Sequence, residues 1–132
     1  MILLDTSICI DLLRGTSENA FHRLLDNDPS EVAIPAVVAA ELLFGARKSG
    51  SAKALKAARA FIGSIGVIPF DGQAAEHYGT IRHELQAAGQ AIGPNDTLIA
   101  ATALSQGATL ATANENEFRR VAGLRVENWR ES

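Results

Sequence analysis

The chain opens with Met1-Ile2-Leu3-Leu4-Asp5-Thr6-Ser7, and this stretch decides its fold. Ile2–Leu4 is a short apolar run, typical of a strand that is buried on both faces of a parallel sheet. Asp5 follows directly, and ligands of open α/β sheets bind just beyond the carboxyl ends of the strands. The stretch therefore predicts a central strand that delivers a carboxylate to the functional edge of a sheet.

Two other acids resemble Asp5 in standing alone within long uncharged stretches. Glu41 is the one charged side chain between Val32 and Ala46, and Asp96 is the one between Ala91 and Asn114. A carboxylate buried in apolar surroundings is costly unless it is paired or bound to a cation. Because these stretches contain no Lys or Arg, a divalent metal ion held by several of the acids is the first functional hypothesis.

Composition predicts one globular domain covering residues 1–132. The chain is 47% hydrophobic and 20% charged, with a net charge of −3, which excludes a generally basic nucleic-acid binder. A single cysteine, Cys9, excludes an internal disulfide framework and favours a reducing compartment. With no signal peptide or membrane span in the pattern, we expect a cytoplasmic protein that does not bind membranes.

Positive charge is concentrated in one segment. Residues 42–70 contain no acid and five cations, and this basic strip consists of Arg47, Lys48, Lys53, Lys56 and Arg59. It could attract phosphates or an acidic partner segment. A solvated helix face with no binding role is the alternative.

Strand and helix patterns alternate along the whole chain. The predicted strands are Ile2–Leu4, Val32–Ile34, Val67–Pro69, Ala108–Thr112 and Leu124–Val126. The predicted helices are Thr6–Arg14, one that starts at Thr16 or Ser17 and ends before Asn27, Ala36–Lys48, 52–65, one from Asp71 to Ala88, and Thr97–Gln106. This alternation predicts a three-layer α/β/α domain with a mainly parallel sheet of four or five strands.

Local signals also predict helix starts and buried faces. Pro35 is placed at the first helical position of Ala36–Lys48, and that helix is apolar on nearly all sides, which predicts that Glu41 is buried with it. Leu25 is expected to face inward, and Trp129 to pack back as an anchor. The expected caps are Thr6 or Ser7, Asp71, and Asn95 or Asp96.

A fourth polar group follows the late strand Ala108–Thr112 and comprises Thr112, Asn114 and Glu117. Parallel strands bring their carboxyl ends to one edge, so this group is expected beside Asp5. Hard oxygen ligands in this number suit Mg²⁺ or Mn²⁺, which polarise a phosphate and activate a water. The sequence thus predicts metal-assisted hydrolysis of a phosphate ester.

Each acid also has a purely structural interpretation. Asp5 and Asp96 could be ordinary helix caps. Glu41 lies mid-helix and cannot be a cap, but an Arg elsewhere could hold it as a buried ion pair. Glu117 lies among other charges and could be a surface residue. Phenylalanines are interpreted as core residues rather than a nucleobase-stacking platform, and they include Phe44, Phe61, Phe70 and Phe118.

Four motifs in this order resemble those of PIN-domain ribonucleases, and more narrowly of VapC-type toxins from bacterial toxin–antitoxin pairs. The motifs are Ile2-Leu3-Leu4-Asp5-Thr6-Ser7; Ala40-Glu41-Leu42 with Gly45; Ile92-Gly93-Pro94-Asn95-Asp96 with Ile99-Ala100-Ala101; and Leu110-Ala111-Thr112 with Asn114, Glu117 and Phe118. The tail Val121–Trp129 fits the same subfamily. The resemblance covers essentially the whole chain and implies a PIN-like fold.

The resemblance implies a Mg²⁺- or Mn²⁺-dependent endoribonuclease. Asp5 and Asp96 would be the principal metal ligands, Glu41 would bind the metal or position the attacking water, and Glu117 would be the family's late acid. Polar support would come from Thr6, Ser7, Thr112 and Asn114. It also implies a homodimer, inhibited by a VapB-type antitoxin that fills a groove near the active site and carries the complex to operator DNA.

Two positions depart from the family pattern. Ser7 stands where the family usually has Asn, and Asn114 stands where some relatives carry Asp. A rival from another class is a non-catalytic PIN-fold interaction module with a vestigial metal site. A second rival, a small-molecule phosphohydrolase with an aspartyl intermediate on Asp5, is disfavoured because it would want a carboxylate at Ser7.

Overall fold

The sheet has the predicted parallel architecture. A computed structural model of the 132-residue chain describes residues 1–131. Their five strands are β1 (Ile2–Leu4), β2 (Val32–Pro35), β3 (Gly66–Ile68), β4 (Thr109–Thr112) and β5 (Arg125–Asn128). They pair in the order β3-β2-β1-β4-β5, every pair parallel. The prediction of a mainly parallel sheet with β1 at its centre is confirmed, while β5 starts and ends later than expected.

Helices connect the strands and cover the sheet. Within residues 1–131 they are α1 (Thr6–Arg14), α2 (Glu18–Leu25), α3 (Ala36–Lys48), α4 (Ala52–Ser64), α5 (Gly72–Ala87), α6 (Pro94–Ser105) and the short α7 (Glu115–Phe118), with a 3₁₀ turn at Pro29–Glu31. None of these helices combines the length and the apolar character that crossing a bilayer requires.

The strand order reverses at the boundary between β1 and β4. The chain leaves β1 for β2 on one side, whereas β4 joins the other side. Leu4 pairs with Ala111, and the N–H of Asp5 donates to the carbonyl of Ala111 at 3.0 Å. Ligands bind in the crevice that such a reversal leaves at the carboxyl ends of the strands. The topology therefore places Asp5 beside Thr112 in this crevice.

The core is built from the apolar strands and the tail that follows β5. Leu4, Ile34 and Leu110 are fully buried, as their two-sided apolar strands predict. Trp129 is 1% exposed, so the expected anchor is confirmed. Its backbone N–H donates to the carbonyl of Thr112 at 3.2 Å and extends the pairing beyond β5.

Two burial predictions are wrong. Helix α3 is not buried on all sides, since Phe44 is 67% exposed and Glu41 is half-buried. Leu25, expected to face inward, is 65% exposed. A helix in an outer layer buries the stripe that faces the sheet, here Val38 and Leu42 on α3, and leaves the rest uncovered.

Helix starts follow different caps from some of those predicted. Asp5 itself caps α1, rather than Thr6 or Ser7. Pro35 ends β2 and is the N-cap of α3, not its first helical residue. Helix α6 begins at Pro94, so neither Asn95 nor Asp96 caps it, and its N-cap is Gly93. A proline is preorganised for the first helical position, which starts α6 early and puts Asp96 inside its first turn. The predicted Asp71 cap on α5 is confirmed.

Candidate active site

Asp5 lies at the bottom of the crevice and is 4% exposed. Its Oδ1 accepts from the Ser7 hydroxyl at 2.6 Å and from the backbone N–H of Ile8 at 3.1 Å. Its Oδ2 accepts a short hydrogen bond from the Thr112 hydroxyl. Burial raises the pKa of Asp5 above its usual value, and these hydrogen bonds oppose that rise. Asp5 is therefore both a helix cap and a carboxylate without a cationic partner.

The two residues after Asp5 connect it to neighbouring elements. The Thr6 hydroxyl donates to Oε1 of Glu41 on α3 at 2.8 Å. The Ser7 hydroxyl accepts from the backbone N–H of Ala113 at 3.1 Å while it donates to Asp5. Thr6 thereby fixes the carboxylate of Glu41 on α3, and Ser7 fixes the turn that follows β4.

Asp96, in the first turn of α6, completes the group of acids. Its pKa is raised to about 6, first by burial and next by a hydrogen bond to Glu117 and that residue's negative charge. The charges of Asp5 and Glu41 raise it further. Like charges disfavour ionisation at short range. The structure therefore brings the four predicted acids, from four separate elements, into one electrostatic cluster.

The late acid is held by a short but anchored helix. Glu117 is half-buried on α7, and the next residue, Phe118, is fully buried and fixes that helix to the core. Asn114 contributes its backbone N–H, which donates to the Thr112 hydroxyl at 2.8 Å, while its side chain forms no capping hydrogen bond. The Thr112 hydroxyl therefore links the backbone of Asn114 to the carboxylate of Asp5.

No cation neutralises the acid cluster. Among residues 1–131, the ion pairs involve other acids, namely Glu31, Glu127, Glu115 and Asp11. The alternative that an Arg holds Glu41 is wrong, because Thr6 is its hydrogen-bond partner. The acids of the cluster therefore have no ion-pair partner among the described residues. The pKa of the Arg130 guanidinium is raised first by its hydrogen bond to Asp11, and the charge of Asp5, acting from farther away, helps to raise it.

The donor set fits a hard divalent cation bound through few direct ligands. Across the described part of the chain, no three His, Cys, Asp or Glu side chains are already gathered closely enough to form a metal cage. Mg²⁺ usually keeps several waters and binds through one or two carboxylates. The carboxylate oxygens of Asp5 and Asp96 could supply these one or two direct ligands. The described residues do not form a closed cage of the kind that holds a structural metal ion.

The basic strip lies apart from the acids. Its members occupy the end of α3 and the length of α4, and all five are exposed: Arg47, Lys48, Lys53, Lys56 and Arg59. Within residues 1–131 no hydrogen bond or ion pair joins these cations to the acid cluster. The strip could therefore extend a binding surface, but it is not part of the acidic centre.

An apolar groove leads away from Glu41; the resemblance implied a groove near the acids, but the sequence did not indicate which residues line it. This α1–α4 groove, as we name it, has a volume of about 260 Å³ and is lined by Ile10, Leu13, Arg14, Glu41, Leu42, Gly45, Ala46, Ser49, Ala54, Ala57 and Ala58. Leu13 is 37% exposed there. The sequence could have indicated this groove, because Ile10 and Leu13 lie on one face of α1 and Ile8 on another, so that α1 has a second apolar face.

Comparisons with known proteins agree with this geometry. Residues 2–124 match the PIN domain family. The chain is 38% identical over 128 residues to the tRNA(fMet)-specific endonuclease VapC of Shigella flexneri, covering 96% of each. The structure of DNA-bound VapBC from Salmonella typhimurium has a TM-score of 0.89 at 37% identity, covering 97% of each chain. That of VapBC2 from Rickettsia felis bound to a DNA fragment from their promoter has a TM-score of 0.88 at 34% identity, covering 98% of this chain and 99% of that one.

Proposed function

The chain belongs to the PIN-domain family and, within it, to the VapC ribonucleases, and from this premise we propose that it hydrolyses RNA phosphodiester bonds as the toxin of a toxin–antitoxin pair. One observation supports this proposal above the others. Asp5, Glu41, Asp96 and Glu117 converge at the strand-order reversal with no cation among their partners. An interaction module has no need for such an unfavourable cluster.

We propose Mg²⁺ or Mn²⁺ as the cofactor. Asp5 and Asp96 would hold it directly, with Glu41 and Glu117 binding through water. When bound, such an ion polarises the phosphate and lowers the pKa of a water. The raised pKa of Asp96, about 6, supports this assignment, because a nearby cation would remove the cost of ionising it.

Hydroxyl groups of the protein hold the carboxylates in fixed orientations around the position proposed for the reacting phosphate. Ser7 and Thr112 each donate to one oxygen of Asp5, which leaves that carboxylate little freedom to rotate. Thr6 fixes Glu41 in the same way through Oε1, so its Oε2 remains free to accept a proton from a water. Asp96 shares a hydrogen bond with Glu117. We assign Glu41 to water positioning and Asp5 and Asp96 to cation binding.

The test is cleavage of RNA by the purified full-length chain freed of any partner. We expect discrete fragments with Mg²⁺ or Mn²⁺, none with chelator, and none with Asp96→Asn. Asp26→Asn, at an exposed helix end, is the matched control and should cleave normally. A folded wild-type protein that cleaves no RNA with either ion would instead support the non-catalytic interaction module.

Initiator tRNA is the first substrate to test. The Shigella flexneri relative is named a tRNA(fMet)-specific endonuclease, and it is 38% identical to this chain. We propose the same substrate class here. Total bacterial RNA in parallel, followed by sequencing of fragment ends, would identify a different target if the tRNA remains intact.

We propose that a VapB-type antitoxin segment occupies the α1–α4 groove. The groove is apolar, ends at Glu41, and carries opposite charges on Arg14 and Glu41, which suits an amphipathic segment bearing a basic residue near the acids. Leu13→Glu should abolish inhibition by the coexpressed antitoxin, whereas Leu25→Glu, on the exposed face of α2, should not. Unchanged inhibition of Leu13→Glu would place the antitoxin elsewhere.

The remaining partners follow from the same premise. We propose a homodimer that forms a larger hetero-oligomer with the antitoxin and reaches operator DNA through it, in the cytoplasm. The basic strip is assigned to RNA or antitoxin contact, and Lys53→Glu with Lys56→Glu tests both roles. If both binding activities survive this charge reversal, the strip is a solvated surface.

A further inference from the structure

A second cavity lies between α5 and the first turn of α6, the turn that also carries Asp96. It measures about 200 Å³, and its walls include Tyr78, Arg82, Leu85, Gln86, Ile92 and Thr97. Leu85 and Thr97 are buried and form its floor, while Arg82 and Gln86 are exposed at its rim. The proposed function leaves this cavity without a role.

Its chemistry combines an apolar floor, an aromatic ring and polar donors. The ring of Phe70 meets Tyr78 edge-on, with centroids 6.4 Å apart, and holds it in place. Arg82 Nη1 donates to the Tyr78 hydroxyl at 3.1 Å. Phe70 is 39% exposed, so the interpretation of it as a core residue is wrong, and the aromatic–basic arrangement that the sequence did not indicate exists here in space.

Two arginines border this cavity. Among the residues that the structure describes, no carboxylate forms an ion pair with Arg82. Arg120 Nη1 reaches the carbonyl of Ala91, on the loop that borders the cavity, at 3.4 Å. The backbone N–H of Arg120 donates to the carbonyl of Glu117 at 3.1 Å, so Arg120 follows the helical turn that carries Glu117. Arg82 in the cavity wall and Arg120 at its bordering loop therefore offer guanidinium groups to an RNA phosphate near the cavity.

The size suits one aromatic base. An apolar cavity of about 150 Å³ accommodates a benzene ring, and this cavity is somewhat larger. Unpaired bases of RNA are recognised by stacking on aromatic or Arg side chains and by hydrogen bonds to their edges. Gln86 and Arg82 can each donate to a base edge.

We propose that the cavity bounded by Tyr78, Arg82 and Gln86 binds one unpaired nucleobase of the RNA strand whose phosphate lies at the acid cluster. Arg120 contacts the phosphate between the two sites. This inference rests on the proposed ribonuclease function and adds a specificity-determining site to it. A base in the cavity fixes the register of the strand, because the phosphate beside it is then set opposite Asp5 and Asp96.

The experiment measures RNA binding without cleavage. Full-length Asp96→Asn protein is titrated, by fluorescence anisotropy, with labelled twelve-nucleotide RNAs of oligo(A), oligo(C) and oligo(U), and with an abasic ribose-phosphate strand of the same length. We expect at least one base-bearing strand to bind about tenfold tighter than the abasic strand. Adding Gln86→Ala should reduce this ratio to about twofold or less, and adding Arg82→Gln should reduce it similarly.

Matched controls distinguish loss of base binding in the cavity from a general loss of folding or of positive charge. Gln73→Ala removes an exposed glutamine from the same helix outside the cavity, and Arg23→Gln removes a half-buried cation on α2 whose ion pair is with Glu127, away from the cavity. Both should preserve the ratio. An unchanged ratio in Gln86→Ala and Arg82→Gln would overturn the proposal, while metal-dependent cleavage by the wild-type chain would show that the ribonuclease function stands without it. If no strand binds and the wild type does not cleave, both proposals fail.

Discussion

Helix α1 holds two buried aspartates in opposite electrostatic states. Asp5 and Asp11 are 4% and 5% exposed. Arg130 donates to both oxygens of Asp11, at 2.6 and 3.0 Å, and the Thr16 hydroxyl donates at 3.0 Å. The hydrogen bond from Arg130 holds the pKa of Asp11 below its usual value, whereas burial raises that of Asp5. The two side chains are similarly shielded from solvent, but Asp5 lies deeper in the protein, and only Asp11 has a cation as its hydrogen-bond partner.

The difference separates a structural acid from a functional one. Asp11 is compensated within the chain and ties the tail after β5 to α1. Asp5 has hydroxyl and amide partners but no cation, and it lies with three more acids. A buried carboxylate left in this state destabilises the protein, so it persists where a ligand supplies the missing positive charge. The comparison predicts that variants at Asp5 change activity and variants at Asp11 change stability.

The largest expected effect is on RNA cleavage. Asp5→Asn should lower the cleavage rate by at least about a hundredfold, because a charge aimed at the reacting centre is lost while the hydrogen-bonding shape is kept. Asp11→Asn should cleave at the wild-type rate per folded molecule. Single-turnover cleavage of the identified RNA, with the folded fraction measured by circular dichroism, checks both. Equal losses of cleavage rate in the two variants would remove the distinction between Asp5 and Asp11.

Next in size is the stability of the tail. Arg130→Met leaves Asp11 buried without its cation and should lower the free energy of unfolding by about 2 kcal/mol, less than for a fully buried pair because Arg130 is 52% exposed. Adding Asp11→Asn should restore part of the loss, since the unpaired charge is then gone. Urea unfolding of the single and double variants measures this recovery. Additive losses would mean that the pair is not the source of the effect.

The pH dependence of stability should have opposite signs at the two sites. Asp96 has a folded-state pKa raised from 3.8 to about 6, so its ionisation costs stability above that pH, and the cost is relieved as the pH falls. In chelator, the wild type should gain about 1 kcal/mol from pH 7 to about pH 5, and Asp96→Asn should lose most of this gain.

Asp11 contributes in the other direction. Its lowered pKa gives stability that is present above the ordinary value of 3.8 and is lost as the pH falls through its folded-state pKa. Urea unfolding below about pH 4 should therefore show a decline that Asp11→Asn flattens. A wild-type stability that falls steadily from neutral pH would contradict the raised pKa of Asp96.

The smallest expected effects concern single hydroxyl groups. Ser7→Ala and Thr16→Ala each remove a neutral donor to a buried aspartate, and each should cost about 1 kcal/mol of stability. Ser7→Ala should also slow cleavage several-fold, because it frees Asp5 and leaves the N–H of Ala113 without its acceptor. Thr16→Ala is the matched control and should cleave normally. Equal cleavage by both would show that Ser7 does not position Asp5.

Much of the fold could be predicted from local pattern. Apolar runs ending in polar residues identified β1 and β4, and their parallel pairing followed from strand–helix alternation. Helix starts were harder to predict. Aspartate is a favoured N-cap residue, but α6 begins at Pro94, two residues before Asp96. The exposure of Phe44 and Leu25 could not be predicted either, because hydrophobicity alone does not say which face of an outer helix is covered.

The sequence by itself determined the chemistry: isolated acids in uncharged stretches indicated carboxylates without local partners, and their order matched one nuclease family. Tertiary structure decided which charges are compensated. Arg130 reaches Asp11 across 119 positions of sequence, and Thr6 rather than any Arg reaches Glu41. It also brought Tyr78 and Arg82 beside α6, the helix that carries Asp96. The physical reason is that electrostatic pairing and burial depend on positions in space, which the fold sets, whereas hydrophobicity and charge type are already present in the residues.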